Sequence, residues 1–237
     1  MKIISWNCGG WSCGGLNENR LNIILINNPD IILIQEITKI EYKTIGSNYR
    51  NKEWHGDNKE ESYKGISIMS NNYKIALNPK FNPKFRYVVP YDLINEQHQT
   101  TTIFSVWTKK PSDGSDNYQK QLFDAMDYYN YDKPHIVIGD FNTGSNSEHH
   151  ERYKELVVNL LKKGLFNCAK ETKYEFENTF YHQITHKYYT NDFCFASQNY
   201  NVTNISIPDR KEWIEISANN YRWKGLSDHC PIEIDLK

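Results

Sequence analysis

The sequence predicts an α/β domain in which two packed β-sheets are flanked by helices. Three observations carry this. Short apolar runs rich in Ile and Val recur, among them Ile31–Ile34 and Ile136–Ile138, which are too brief for helices and suit strands covered on both faces. Segments with strand character outnumber those with helical periodicity. The helices are also spread between strands and not gathered in a block, so a layered arrangement serves better than a bundle.

Taken in order, Lys2–Trp6 is a strand that runs into a glycine-rich turn at Gly9-Gly10 and Gly14-Gly15. Asn17 is an N-cap for a helix with Leu21, Ile24 and Leu25 on one face, and Pro29-Asp30 stops it. The run Ile31–Ile34 is a buried strand ending at Gln35-Glu36. A polar loop is expected from Glu53 to Tyr63, then a strand from Gly65 to Ser70, then turns and edge structure from Asn71 to Pro83. Thr100–Trp107 is β-branched and aromatic, a strand; Tyr118–Tyr129 is a helix; His135–Gly139 is a buried strand leading directly into Asp140. Ser147 is positioned to cap a helix carrying Leu156, Leu160 and Leu161, closed by Gly164. The last third is mostly β, at Asn178–Tyr181, Asp192–Ala196, Val202–Ile207 and Cys230–Leu236. The final strand alternates, with Cys230, Ile232, Ile234 and Leu236 on one face and Glu233 and Asp235 on the other.

The 237 residues show no repeat, low-complexity tract or linker, and are read as one domain, 1–237. A hydrophobic fraction of 38% with 14% aromatic residues excludes a disordered chain. With 28 Lys+Arg against 29 Asp+Glu there is no overall basic surplus to drive binding to nucleic acid, which leaves only local basic patches for that purpose. Cys8, Cys13, Cys168, Cys194 and Cys230 form no Cys-x-x-Cys pair, which argues against structural zinc, and Cys8 is taken as a small core residue. The N-terminus lacks a signal-peptide layout and no apolar run has the length of a membrane span, so a cytoplasmic protein is expected.

Polar residues stand immediately after several apolar strands, where a rigid sheet can hold them at its rim: Asn7, Glu36, and Asp140 with Asn142. Asp228-His229 precede the closing strand. Any one of these serves equally well as a cap or turn residue; their recurrence is the signal. The segments SWNCGG, ILIQEI, IVIGDFN, TNDFCFAS and GLSDHCPIEIDL, in this order from residue 2 to 236, resemble the successive motifs of the endonuclease/exonuclease/phosphatase superfamily. The pattern is similar to that of its compact bacterial members, which resemble exonuclease III-type enzymes in organisation without their full specificity motifs.

The resemblance implies a DNase I-like four-layer sandwich of two mixed β-sheets flanked by α-helices. It implies Glu36 as principal ligand for Mg²⁺ or Mn²⁺, Asn7 close by, and Asp228 as a further ligand or a contact through water. Asp140 would orient and deprotonate the attacking water. Asn142, expected to project to the same side of an extended chain, would hydrogen-bond a phosphoryl oxygen. Asp192 would pair with His229, fixing its tautomer and raising its pKa so that it supports the pentavalent phosphorane.

Two departures from the family pattern stand out. Trp107 lies where relatives often carry His or Tyr, and either contacts substrate, walls the site or belongs to the core; Thr190-Asn191 precede Asp192 where relatives more often have Arg or His and an aliphatic residue. In addition, Gly9 occupies the position where abasic-site endonucleases carry an acidic residue. Lys64, in the loop before Gly65, and Lys109 and Lys110, after Trp107, are candidates for phosphate contact, while Trp213 and Trp223 either line a substrate pocket or pack in the core. His149-His150 read as a solvated face. His182 and His186 lie in strand and loop and so make no helical zinc pair. The expected activity is metal-dependent phosphodiester hydrolysis with nucleic acid as substrate. A small-molecule or lipid head-group phosphate is the alternative, and a non-catalytic binding domain is disfavoured by retention of the whole residue set.

Overall fold

The apolar runs of the sequence form the centres of two six-stranded sheets. The computed structural model describes residues 1–9, 21–22, 25, 27–56, 64–109, 118–143, 150–170, 172–175, 177–182, 184–208, 213 and 227–237. Along the chain these form β1 (Lys2–Asn7), β2 (Ile31–Thr38), α1 (Lys39–Gly46), β3 (Asn51–Gly56), β4 (Lys64–Ser70), β5 (Lys74–Leu77), a 3₁₀ turn (Pro83–Phe85), β6 (Val88–Ile94) and β7 (Thr100–Trp107). There follow α2 (Gln119–Tyr129), β8 (His135–Asp140), α3 (His150–Lys162), β9 (Leu165–Asn167), β10 (Phe180–His182), β11 (Lys187–Tyr189), β12 (Asp192–Ser197), β13 (Val202–Ser206) and β14 (Ile232–Leu236).

The first sheet has the order β13-β14-β1-β2-β4-β3 and the second β5-β6-β7-β8-β12-β9, with β10 and β11 as a separate hairpin. Each sheet is mixed: β1 and β2 are parallel in the first, β7 and β8 in the second, and their neighbours are antiparallel. Ile3, Leu33, Ile68, Val89, Ile103, Ile138 and Ile234 form a core shared by the two sheets. A second core joins Phe104, Val106 and Val137 to Leu122 and Met126 of α2 and Leu156 and Leu160 of α3. A third joins Ile4, Ile32 and Ile34 to Ile45 of α1. The result is the four-layer DNase I-like architecture expected from the motifs.

Local chemistry explains the helix limits. Thr38 and Glu41 form a reciprocal capping box at the start of α1. In α2, Leu122, Ala125, Met126 and Tyr129 repeat at helical spacing, and Asn130 ends the helix in the left-handed region at φ 38°. Gly164, at φ 77°, follows α3 as expected. The helix expected after Asn17 and the Ser147 cap fall largely on residues outside those described, as do Cys13, Lys110, His149 and Trp223.

Several expectations are corrected. The segment from Glu53 is not loop from its start, because Asn51–Gly56 pairs with β4 as an edge strand whose residues are all half-buried. Lys64 opens β4, paired with Thr38, and so is not a loop residue. Cys230 does not share a face with Ile232, Ile234 and Leu236. It joins Ile4, Trp6 and Cys8 on the outer side of the first sheet, because β14 begins only after Pro231. The strand β6 was not anticipated. It tolerates Pro90 because the Pro90 carbonyl faces Asn78, just past the end of β5, so its missing amide is lost where that neighbour has stopped.

Candidate active site

One end of the sandwich gathers the candidate residues. The parallel pair β1 and β2 delivers Asn7 and Glu36, and β8 ends at Asp140. Asp192 begins β12 directly opposite Asp140, and His229 precedes β14. By strand alternation Glu36 belongs on the outer face with Ile32 and Ile34. A β-bulge between Gln35 and Ile37, with Glu36 at φ 60°, breaks that alternation. A non-glycine residue held in this region is strained, and such strain is found where function requires a side chain to be re-aimed.

The Asn7 amide joins the two sheets chemically. Its Nδ2 donates to Glu36 Oε1 at 3.2 Å and to Asp140 Oδ2 at 2.9 Å, while its Oδ1 accepts from Gly9 N–H at 3.0 Å. Asn7 therefore aligns two carboxylates as a donor. Lys64 Nζ also donates to Glu36 Oε2 and reaches the Gly9 carbonyl at 3.1 Å. Burial pulls the Glu36 carboxyl upward, but Lys64, the Asn7 hydrogen bond and the His229 charge hold it below the usual carboxylate value.

Asp140 is buried at the join. Its Oδ1 accepts from Asn142 N–H at 2.8 Å and its Oδ2 from Asn142 Nδ2 at 3.0 Å. The chain here is not extended as expected: Asn142 is at φ 47°, and the turn folds its backbone amide back onto Asp140. Asn142 Nδ2 also donates to the Thr108 carbonyl at 2.8 Å. Gly139, just before Asp140, lies at φ 143°, and a Cβ there would come within 2.0 Å of the Val106 carbonyl oxygen. Only glycine permits this approach of β8 to β7.

His229 lies between two carboxylates. Its Nδ1–H donates to Asp192 Oδ2 at 2.8 Å, and Nε2 faces Asp140 Oδ2 at 4.0 Å. Burial disfavours the imidazolium, but Asp192 and Asp140 outweigh it, with a smaller contribution from the half-buried Asp228, and the pKa rises to about 10. Burial, aided by Asp192, pushes Asp140 up to about 7 against the pull of His229 and of its hydrogen bonds. The ligand atoms of Asp140, Asp192 and His229 lie within 4.8 Å of one another, a spacing that suits an ion. His229 Nδ1 is already hydrogen-bonded to Asp192, so what the trio offers, to a proton or to an ion, is His229 Nε2 and the two carboxylates. The donor set that converges on a cation is Glu36 Oε2 with the Gly9 carbonyl, where the Lys64 ammonium stands. Oxygen-only ligation of this kind fits a hard divalent ion.

Sequence reasoning missed the supports. Ser227 Oγ donates to the Asn7 carbonyl at 2.7 Å and accepts from His229 N–H at 3.1 Å. Thr179 Oγ1 accepts from both Asn191 and Asp192 N–H, and Trp6 Nε1 donates to the His229 carbonyl. Phe180 lays its ring 4.6 Å from that of His229. Only the Ser of the SDH segment had a sequence signal, its place beside Asp228. Trp107 is 3% exposed and belongs to the core between the sheets, with Tyr87 edge-on at 5.2 Å and Lys109 Nζ 4.2 Å above its ring. Trp213 is likewise buried, edge-on to Trp6, and Thr190 is spent on the Glu177 carbonyl.

The family model described as Endonuclease/Exonuclease/phosphatase family matches residues 4–229. The chain belongs to this family. Endonuclease/exonuclease/phosphatase enzymes are hydrolytic phosphoesterases, generally metal-dependent, and this member has a buried Asp140, Asp192 and His229 cluster beside the Glu36–Lys64 pair. No curated protein matches it by sequence. Solved structures of the same fold include a 3'-5' exonuclease from Neisseria meningitidis (18% identity, all of both chains, TM-score 0.66) and a mannosyl-6-phosphatase from Bacteroides thetaiotaomicron (14%, all of this chain and 99% of that one, 0.68). The endonuclease domain of TRAS1, a telomere-specific non-LTR retrotransposon, is similar at 16% identity, over all of this chain and 97% of that one, with a TM-score of 0.67. Among the described residues of this family member, no helix is long and apolar enough to cross a membrane.

Proposed function

We propose that the protein hydrolyses phosphodiester bonds of nucleic acid by metal-assisted attack of water on phosphorus. The observation that carries the reading is the Asn7 amide bridging Glu36 to Asp140, which sets a cation-binding carboxylate beside a proton-accepting one. Asp140 takes the proton of the attacking water: its pKa of about 7 places it near the working pH of a general base. Asn7 and Asn142 fix its two oxygens. His229, charged and held by Asp192, faces the same carboxylate and supplies positive charge to the phosphorane. Asn142 reaches a phosphoryl oxygen by giving up its bond to Thr108. A divalent ion, Mg²⁺ or Mn²⁺, held through Glu36 with Asp228 as a further contact, would neutralise charge on the phosphoryl oxygens.

A polynucleotide is favoured by a groove of about 460 Å³ whose lining, among the described residues, includes Lys84, Arg86, Tyr87, Lys109 and Gln121 and no carboxylate. Lys109 is two residues beyond Trp107, which pairs with Asp140 across β7 and β8, so the groove adjoins the site. Cations interleaved with aromatic rings suit a phosphate backbone and its bases. The second reading, a small-molecule phosphatase, draws on the near-neutral charge and the mannosyl-6-phosphatase fold neighbour. A panel of abasic duplex, plain duplex, single-stranded DNA, RNA, bis-p-nitrophenyl phosphate and sugar phosphates, with Mg²⁺, Mn²⁺ or EDTA, separates the two. Metal-dependent cleavage of a polynucleotide is expected. Turnover of sugar phosphates alone would replace the first reading with the second, and full activity in EDTA would remove both.

A further inference from the structure

Lys64 is not an ordinary surface lysine. Pairing of β4 with β2 anchors its backbone opposite Thr38, immediately past the Glu36 bulge. The next residue, Gly65, has no room for a Cβ against the His55 carbonyl and the Trp54 ring, so the strand is pinned where Lys64 leaves it. Its ammonium rests on Glu36 Oε2 and the Gly9 carbonyl, the two oxygens that fit a metal. Its side chain is 28% exposed and that of Glu36 22%, so neither is closed off from solvent.

We propose that Lys64 shares Glu36 with the divalent cation and, once displaced from it, binds the phosphoryl oxygens of the substrate. The proposal rests on the metal-dependent reading above. An ammonium and a divalent ion drawn to the same pair of oxygens, Glu36 Oε2 and the Gly9 carbonyl, compete for one position, because two cations in contact there repel each other. A divalent ion has twice the charge and prevails at direct contact. The freed ammonium has three donors and no acceptor on a flexible four-carbon stem, so it requires a new anion. Lys64 therefore stabilises Glu36 without a metal and orients substrate with one.

The test is calorimetric titration of Mn²⁺ into the full chain, followed by inorganic phosphate into the Mn²⁺-saturated protein. Lys64→Met is expected to bind Mn²⁺ about tenfold more tightly and phosphate about tenfold more weakly, the scale of one charge-assisted hydrogen bond. Lys64→Arg should keep phosphate affinity near that of the wild type, and in turnover Lys64→Met should raise KM more than it lowers kcat. Lys64→Gln gives the same two shifts should the methionine variant fail to fold. Unchanged or weaker Mn²⁺ binding in Lys64→Met, or unchanged phosphate binding, overturns the proposal. A Glu36→Gln protein that binds Mn²⁺ as the wild type does overturns the metal assignment beneath it, a distinct failure.

Discussion

The two sheets contribute to the site in opposite ways. The first sheet reaches it through an irregularity, the Glu36 bulge, and presents a half-open pair in which Glu36 and Lys64 side chains are 22% and 28% exposed. The second reaches it through regular pairing, Asp192 opposite Asp140, and closes over side chains that are 2% and 1% exposed. His229 comes from the segment just before the first sheet's last strand but is held by the second sheet's carboxylates. The difference teaches a division of labour. On the proposed mechanism the open carboxylate would exchange cations with solvent and the closed trio would hold protons, because neighbouring charges shift a pKa most strongly in a low-dielectric site.

The largest expected effect comes from breaking the closed half without disturbing its shape. Asp140→Asn keeps the volume and, with its one oxygen, the Asn7 contact at the cost of the Asn142 N–H bond, but cannot take a proton. The rate constant kcat on bis-p-nitrophenyl phosphate should fall by about a thousandfold or more. His229→Ala should cost about a hundredfold or more in the same assay. It also leaves Asp140 and Asp192 buried without their cation, so thermal unfolding should show a loss of about 3 kcal/mol. Because the two residues act together, the double variant should be hardly slower than Asp140→Asn alone. Additive losses would show that they do not form one unit.

Next comes geometry. Gly139→Ala places a methyl against the Val106 carbonyl in a backbone region that alanine rarely adopts, and should cost about 3 kcal/mol. Activity should fall along with stability, because Asp140 is the next residue and cannot stay in register. A stable Gly139→Ala protein with full activity would show that the closed half tolerates displacement, contrary to the contrast drawn between the sheets.

The pH dependence of stability separates the halves by sign. His229 has a folded pKa of about 10 against an ordinary 6.5, so its stabilisation is full below about pH 6.5 and is lost as pH rises through about 10. Asp140, raised from 3.8 to about 7, acts in the same direction, its contribution fading as pH rises through about 7. Glu36, held low, acts oppositely: its contribution is present above the ordinary carboxylate value and is lost as pH falls through its folded pKa. Urea midpoints in EDTA should therefore decline from pH 7 to 10, and His229→Ala should flatten that decline. A wild-type midpoint that rises over this range would contradict the charged state assigned to His229.

Much of this was legible in the sequence because it depends on strand ends. An apolar run followed by a polar residue marks a rim position, and that rule located Asn7, Glu36 and Asp140 without a structure. It located them by position and not by direction. The bulge at Glu36, the turn that folds Asn142 onto Asp140 and the Asn7 bridge all arise from backbone torsions and from partners 29 and 133 residues away. The strand Asn51–Gly56 was illegible for a related reason. As a half-buried edge it shows no alternation of apolar and polar residues, and its pairing is decided by β4. Lys64 looked like any loop lysine because its significance lies in Glu36, 28 residues away.

The smallest expected effect concerns Trp107, for which the sequence left substrate contact, wall of the site and core packing open. In place, the residue sits in the core shared by the sheets, and its indole carries Lys109, which lines the basic groove. If its role is to support the ammonium above it, Trp107→Phe keeps an aromatic face beneath Lys109 and removes only part of the ring. The expected cost is about 1 kcal/mol of stability, from the smaller buried area, with KM for a polynucleotide moved by less than about threefold. Lys109→Ala, which removes the charge itself, should raise that KM more and weaken its dependence on salt. A Trp107→Phe protein of unchanged stability whose KM rises more than Lys109→Ala would mean that the indole touches substrate directly. The interior of the second sheet would then be more open than its 3% exposure indicates.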